Sequence, residues 1–77
     1  MAYICLDKGS HEITPCTPVG ECHAMGQYLR DENSCSTFYE CIDGWLQAVR
    51  KFECPAGLYF DLKTYMCDWP QDVHCSH

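Results

Sequence analysis

The sequence predicts a small, disulfide-rich, mainly-β domain. Three observations lead there. Eight cysteines stand in 77 residues. A stretch over 36–53 is dense in strand-forming residues around an Asp43-Gly44 pair. A second strand–turn–strand pattern follows over 57–68. A chain this short buries little apolar surface against the entropy of ordering it, and disulfides are the usual remedy. Four bridges, at roughly 2–4 kcal/mol each, would stabilise the fold mainly by restricting the unfolded chain. Such bridges persist in oxidising compartments, so a secreted, extracellular protein is expected.

The elements follow in chain order. Over 1–34, Gly9, Pro15, Pro18, Gly20 and Gly26 punctuate the sequence and no period of 2 or 3.6 persists, so loops are expected. Thr37-Phe38-Tyr39-Glu40-Cys41-Ile42 and Trp45-Leu46-Gln47-Ala48-Val49-Arg50-Lys51-Phe52 are the arms of a hairpin. Asp43-Gly44 suits a two-residue type I′ turn between them, giving a two- or three-stranded antiparallel sheet around 36–53. Gly57 to Phe60 and Tyr65 to Asp68 form a shorter hairpin, with 61–64 as its loop. Trp69-Pro70 ends it, and a helical turn near Gln71-Asp72-Val73 is expected.

Composition excludes several functions. The net charge is -6, with five basic residues among eleven acidic ones. That leaves no footprint for nucleic acid or an anionic membrane. No apolar run approaches the ~20 residues of a membrane helix. Met1 is followed by no signal-peptide pattern, as expected for a mature or excised domain with an added initiator Met. Four histidines (His11, His23, His74, His77) accompany the cysteines, but the shortest gap between cysteines is five residues and no C-x2-C pair exists. No structural metal and no cofactor are expected, and the histidines are read as solvated. A loop-rich chain of this size has little room to bury a carboxylate and raise its pKa, so catalysis is not expected.

Several short motifs then fall into one pattern: Cys22-x3-Gly26-x-Tyr28, Cys35-x2-Phe38-Tyr39-x-Cys41, Cys54-Pro55-x-Gly57-Leu58-x-Phe60-Asp61, Cys67-Asp68-Trp69-Pro70 and Cys75. This pattern resembles the type-2 chitin-binding domain, also called the peritrophin-A domain or carbohydrate-binding module family 14. The resemblance runs from Cys22 to Cys75. It divides the chain into an N-terminal extension over 1–21, tied by a disulfide, and a compact family unit over 22–77. It implies the pairs Cys22–Cys41, Cys35–Cys75 and Cys54–Cys67, leaving Cys5 with Cys16. Analogy with an eight-cysteine fungal effector of the same family gives a second arrangement, Cys5–Cys41 with Cys16–Cys22. Both remain open at this point, because eight cysteines allow 105 pairings.

The resemblance also implies a partner, chitin or N-acetylglucosamine oligomers, and places the site on the short C-terminal hairpin, in a fold compared with hevein-like domains. A pyranose ring offers an apolar C–H face to an aromatic ring and a hydroxyl rim to polar groups. Tyr59, Phe60, Tyr65 and Trp69 supply aromatics, and Asp61 and Asp68 supply acceptors. Strand alternation sends Tyr59 and Phe60 to opposite faces. The family pattern of an aromatic followed by a polar residue puts Phe60 and Asp61 in the site. Lys63 stands where a family member carries a second aromatic, and Tyr65 is the candidate to replace it. Asp68 has an equal alternative role, bracing the turn. Phe38 and Tyr39 are read as packing residues. Trp45 is read first as an ordinary exposed aromatic and second as a ligand contact.

The expected function is therefore non-catalytic chitin binding by a monomer, through stacking on Phe60, Trp69 and Tyr65. Two alternatives stand beside it. One is a disulfide-rich protease inhibitor using Thr14 to Glu21 as its loop. The other is a structural domain of the same fold that has lost sugar binding.

Overall fold

A computed structural model describes residues 3–7, 9 and 12–75. Six strands are present: β1 (Ile4–Asp7), β2 (Tyr28–Arg30), β3 (Thr37–Asp43), β4 (Ala48–Glu53), β5 (Tyr59–Asp61) and β6 (Met66–Asp68). A 3-10 turn over Pro70–Asp72 follows, close to the helical turn expected there. The first four strands form one sheet in the order β1-β4-β3-β2, and β5 and β6 form a separate hairpin. The small, mainly-β, four-disulfide class is thus the one the sequence predicts.

Two features exceed that expectation. The sheet is wider, because β1 and β2 arise from the segment expected to be loops. β1 pairs in parallel with β4, from Ile4 opposite Ala48 to Asp7 opposite Lys51. β2 pairs with β3, Tyr28 opposite Glu40. Both are short edge strands whose partners lie far along the chain or beyond a long loop, so no turn signal marks them. The β3–β4 connection also differs. It is a four-residue loop over 44–47, not a two-residue turn, and Ile42 is an extra residue in the ladder between Cys41 and Asp43. Asp43 Oδ1 accepts the N–H groups of Trp45 (2.8 Å) and Leu46 (3.2 Å), which selects the wider loop. Gln47 closes it in the left-handed region, at φ 52°. Glycine suits position 44 for a different reason: a Cβ there would lie 3.2 Å from the carbonyl oxygen of Cys22, a tight approach.

Alternation along β3 sorts the sheet into two faces. One carries Tyr39 and Cys41, which join Cys5, Cys22, Leu29 and Val49 in the principal core. The other carries Phe38, which pairs across the strands with Phe52 (rings stacked, centroids 5.4 Å apart). On this second face lies the β5–β6 hairpin, whose Phe60 ring stacks on Phe38 at 3.8 Å and meets Tyr28 at 5.4 Å. Phe60 is 1% exposed.

The disulfides are Cys5–Cys16, Cys22–Cys41, Cys35–Cys75 and Cys54–Cys67, so the first of the two arrangements is realised. Cys54–Cys67 ties the segment after β4 to β6, and Cys35–Cys75 ties the start of β3 to the C-terminal end. The segment before Cys22 is held further by polar contacts. Thr17 Oγ1 and Tyr39 Oη both donate to Asp31 Oδ1, at 2.8 and 2.5 Å. The N–H of Thr17 donates to Tyr39 Oη at 3.2 Å, and the N–H of Asn33 to Asp31 Oδ2 at 2.9 Å.

This buried network shifts two acids. Burial pushes the Tyr39 phenol up to about 12, helped by its bond to the Asp31 carboxylate. For Asp31, burial acts upward, but the hydrogen bonds from Tyr39, Thr17, Asn33 and Ser34 outweigh it and hold the carboxyl below its ordinary 3.8. The two shifts bound a window of stability. The Asp31 contribution is present above its unfolded pKa and is lost as pH falls through the lower folded value. The Tyr39 contribution is complete below its ordinary 10.0 and is lost as pH rises towards about 12. Ultraviolet titration of the five tyrosines should therefore show one that ionises well after the others, and Tyr39→Phe should remove that late phase. Separately, Phe60→Ala should lower unfolding free energy in denaturant by roughly 3–5 kcal/mol, the range for deleting a buried phenylalanine.

Candidate functional site

The β5–β6 hairpin has an inner and an outer surface, set by register. Phe60 pairs with Cys67, and both belong to the inner surface. Tyr59 pairs with Asp68 and Asp61 with Met66, which places these four side chains together on the outer surface. The expectation that Tyr59 and Phe60 divide between faces is met, but the assignment is the reverse of the one proposed from sequence. Phe60 is the packing residue and offers no ring face to a ligand, because three-residue strands with no core of their own must bury one aromatic against the sheet.

The loop over 62–65 repeats the chemistry of the loop after β3. Asp61 Oδ1 accepts the N–H of Lys63 at 2.8 Å, and the Asp61 carbonyl accepts the N–H of Tyr65 at 2.8 Å. Tyr65 sits in the left-handed region at φ 60°. Its ring lies 5.3 Å from that of Tyr28, tilted by 33°, while the residue stays 61% exposed. Trp69 is 60% exposed on extended backbone (φ −62°, ψ 142°), with its N–H donating to Asp68 Oδ1 at 2.7 Å. Asp68 therefore does brace the turn, with one oxygen, as Asp61 braces its own loop.

The hairpin is fastened to the sheet at several points. The N–H of Phe60 donates to the Cys35 carbonyl at 2.9 Å, and Ser36 Oγ donates to the Leu58 carbonyl at 2.7 Å. With Cys54–Cys67 beneath, the exposed rings stand on a rigid support. Sequence reasoning passed over Met66, which is 65% exposed beside Asp61 and Asp68. The signal was available, since a residue two before an outward Asp68 must share its face. It also passed over Tyr28, which supports Tyr65 from another strand. Phe38 and Tyr39 are packing residues, as expected.

The two clearest recesses lie elsewhere. One of about 310 Å³ is lined by Asp7, Thr14, Lys51, Phe52 and Glu53. The other, about 380 Å³, includes Asp31, Thr37 and Tyr39. Neither recess is lined by residues of the hairpin's outer surface. No cluster of His, Cys, Asp or Glu among the described residues has metal-binding geometry, and His11 and His77 lie outside those residues.

Comparison with known proteins places this architecture. The Chitin binding Peritrophin-A domain profile matches residues 22–75. Chitin-binding domain protein cbd-1 of Caenorhabditis elegans is 39% identical over 54 residues, covering 70% of this chain and 4% of that protein. Chitin deacetylase 1 of Bombyx mori is 39% identical over 52 residues, covering 62% of this chain and 9% of the enzyme. Protein obstructor-E of Drosophila melanogaster is 32% identical over 68 residues, covering 86% of this chain and 26% of that protein. The chain thus spans well under a third of each of these relatives. No solved structure matches it significantly. The matched span takes in six of the cysteines and the whole β5–β6 hairpin, and the chain belongs to the chitin-binding peritrophin-A family.

Proposed function

We propose that this domain binds chitin without catalysis, through the outer surface of the β5–β6 hairpin, as a secreted monomer. The observation that carries the reading is the pair of rings at Tyr65 and Trp69, each about three-fifths exposed on a support fixed by hydrogen bonds and a disulfide. Large aromatic surface held in water is costly unless a partner covers it. In this mechanism Tyr65 and Trp69 stack on the C–H faces of sugar rings, and Tyr59 and Met66 extend the apolar contact. Asp61 and Asp68 each commit Oδ1 to the backbone and direct the other oxygen at hydroxyl and amide protons. The division into residues 1–21 and a family unit over 22–77 is part of the same reading, with the first segment bracing the second.

The inhibitor alternative fares less well. Between Thr14 and Glu21 the chain is bonded down: the N–H of Thr14 goes to the Cys5 carbonyl, that of Thr17 to Tyr39 Oη and that of Val19 to the Arg30 carbonyl. Pro18 also bridges to Asp31. An inhibitory loop needs to project its backbone towards an enzyme, and this one spends it internally.

A single open site should be weak for short oligomers and stronger for the polymer, where many equivalent sites raise the effective concentration. Wild-type protein should be retained on chitin beads. Trp69→Ala and Tyr65→Ala should each lose most of that retention, about tenfold or more, with unchanged circular dichroism; one lost stacking contact of ~1.4 kcal/mol gives that factor. Passage of folded wild-type protein through the column unretained would sink the reading.

A further inference from the structure

A second exposed aromatic stands apart from this hairpin. Trp45, in the β3–β4 loop, is 92% exposed. It is not exposed through slackness. Asp43 Oδ1 holds its N–H at 2.8 Å and that of Leu46 at 3.2 Å. The Gln47 side chain accepts the N–H of Cys22 at 2.8 Å and donates to the carbonyls of Cys22 and Gly44, at 3.0 and 2.5 Å. The N–H of Ile4 reaches the Gln47 carbonyl at 3.1 Å, and the Cys22–Cys41 disulfide lies below.

This loop and the loop over 62–65 share one construction. Each starts at an aspartate whose Oδ1 accepts the N–H two residues on, and each ends four residues later in the left-handed region, at Gln47 (φ 52°) and Tyr65 (φ 60°). Each displays an exposed aromatic ring beside a carboxylate with one oxygen committed. We infer that Trp45 and Asp43 form a second, independent platform for a neutral sugar ring, so that the domain touches a chitin surface at two points. This rests on the chitin-binding reading above.

The surroundings select the occupant. Asp43 is the one charged residue over 41–49, within a chain of net charge -6, so an anionic lipid surface or nucleic acid is repelled. Beside Trp45 in the loop, Leu46 is also exposed, and these two side chains fall far short of the ~1,000 Å² that a stable protein interface needs. An uncharged ring with an apolar face and a hydroxyl rim fits both limits. Phe38, where the C-terminal hairpin packs, is five residues along β3 from Asp43, about 15–20 Å at ~3.3 Å per residue. On that spacing the two platforms would engage different sugars of one polymer surface.

Trp45→Ala should fold normally, as the side chain is almost wholly in water. Its retention on insoluble chitin should fall at least about tenfold, as loss of one of two linked contacts implies. Amide shifts on titration with tri-N-acetylglucosamine should show two sets in the wild type, over 43–47 and 58–69. In Trp45→Ala the second set should follow an unchanged isotherm. In Trp69→Phe, where Trp45 is the only tryptophan left, indole emission should shift to shorter wavelength on chitin particles. Retention of Trp45→Ala equal to wild type would overturn the inference, as would an equal loss of trimer affinity at 58–69, or Trp45-dependent self-association without sugar. Wild-type protein that ignores chitin would sink both readings, whereas wild-type binding with an indifferent Trp45→Ala sinks only this one.

Discussion

The stack of Phe60 on Phe38 is the contact on which the hairpin's outer surface depends. The β5–β6 hairpin has three-residue strands, too short to hold their shape in water alone. Seating Phe60 between Phe38 and Tyr28 gives the hairpin a borrowed core, and Phe38 in turn rests on Phe52. The aromatic run then continues outward, because Tyr28 also supports Tyr65. Rings that bury surface and rings that display it are therefore one continuous assembly. The disulfide Cys54–Cys67 reinforces this from the neighbouring strand, since Cys67 is the cross-strand partner of Phe60. Removing the ring would leave the bridge in place but take away what orients the hairpin.

The opposite face of the sheet is managed differently. There the core is small and sulfur-rich, and the segment before Cys22 closes it by a parallel strand, a disulfide and the polar network around Asp31. A buried carboxylate is a liability unless its oxygens are occupied. Asp31 accepts from two hydroxyls and from the backbone N–H groups of Asn33 and Ser34, and Thr17 brings one of those hydroxyls from the N-terminal segment. The network thus makes the docking of that segment specific as well as favourable. It also explains why Thr14 to Glu21 is a cover and not a projecting loop.

The legible parts of this fold were the ones written in local chemistry. The two hairpins, the disulfide-rich class and the packing role of Phe38 and Tyr39 follow from strand formers, turn residues and cysteine spacing. β1 escaped notice because Ile4-Cys5-Leu6 finds its partner at Ala48 to Arg50, and nothing local announces a pairing that distant. The Asp43-Gly44 turn was misjudged because the Asp43 carboxylate binds the backbone beyond it, and because Gly44 serves a close approach to Cys22 instead of a positive φ. At the site, alternation showed that Tyr59 and Phe60 must part. Which of them turned inward depended on Phe38 and Tyr28, residues on other strands. The same alternation, applied to β6, would have picked out Met66.

Both loops that display aromatics solve one problem, how to hold an apolar ring in water without letting it move. A flexible loop would fold its ring back onto the surface, or lose ordering entropy when a ligand arrived. The aspartate at the head of each loop prevents this by satisfying the loop's own N–H groups, and the left-handed residue at the end returns the chain to its strand. In the proposed binding mode the carboxylate that rigidifies the loop also offers its second oxygen to a sugar's hydroxyl rim. In that mode one residue type thus serves structure and recognition together. That economy suits a chain of 77 residues, which has too little interior to keep the two tasks apart.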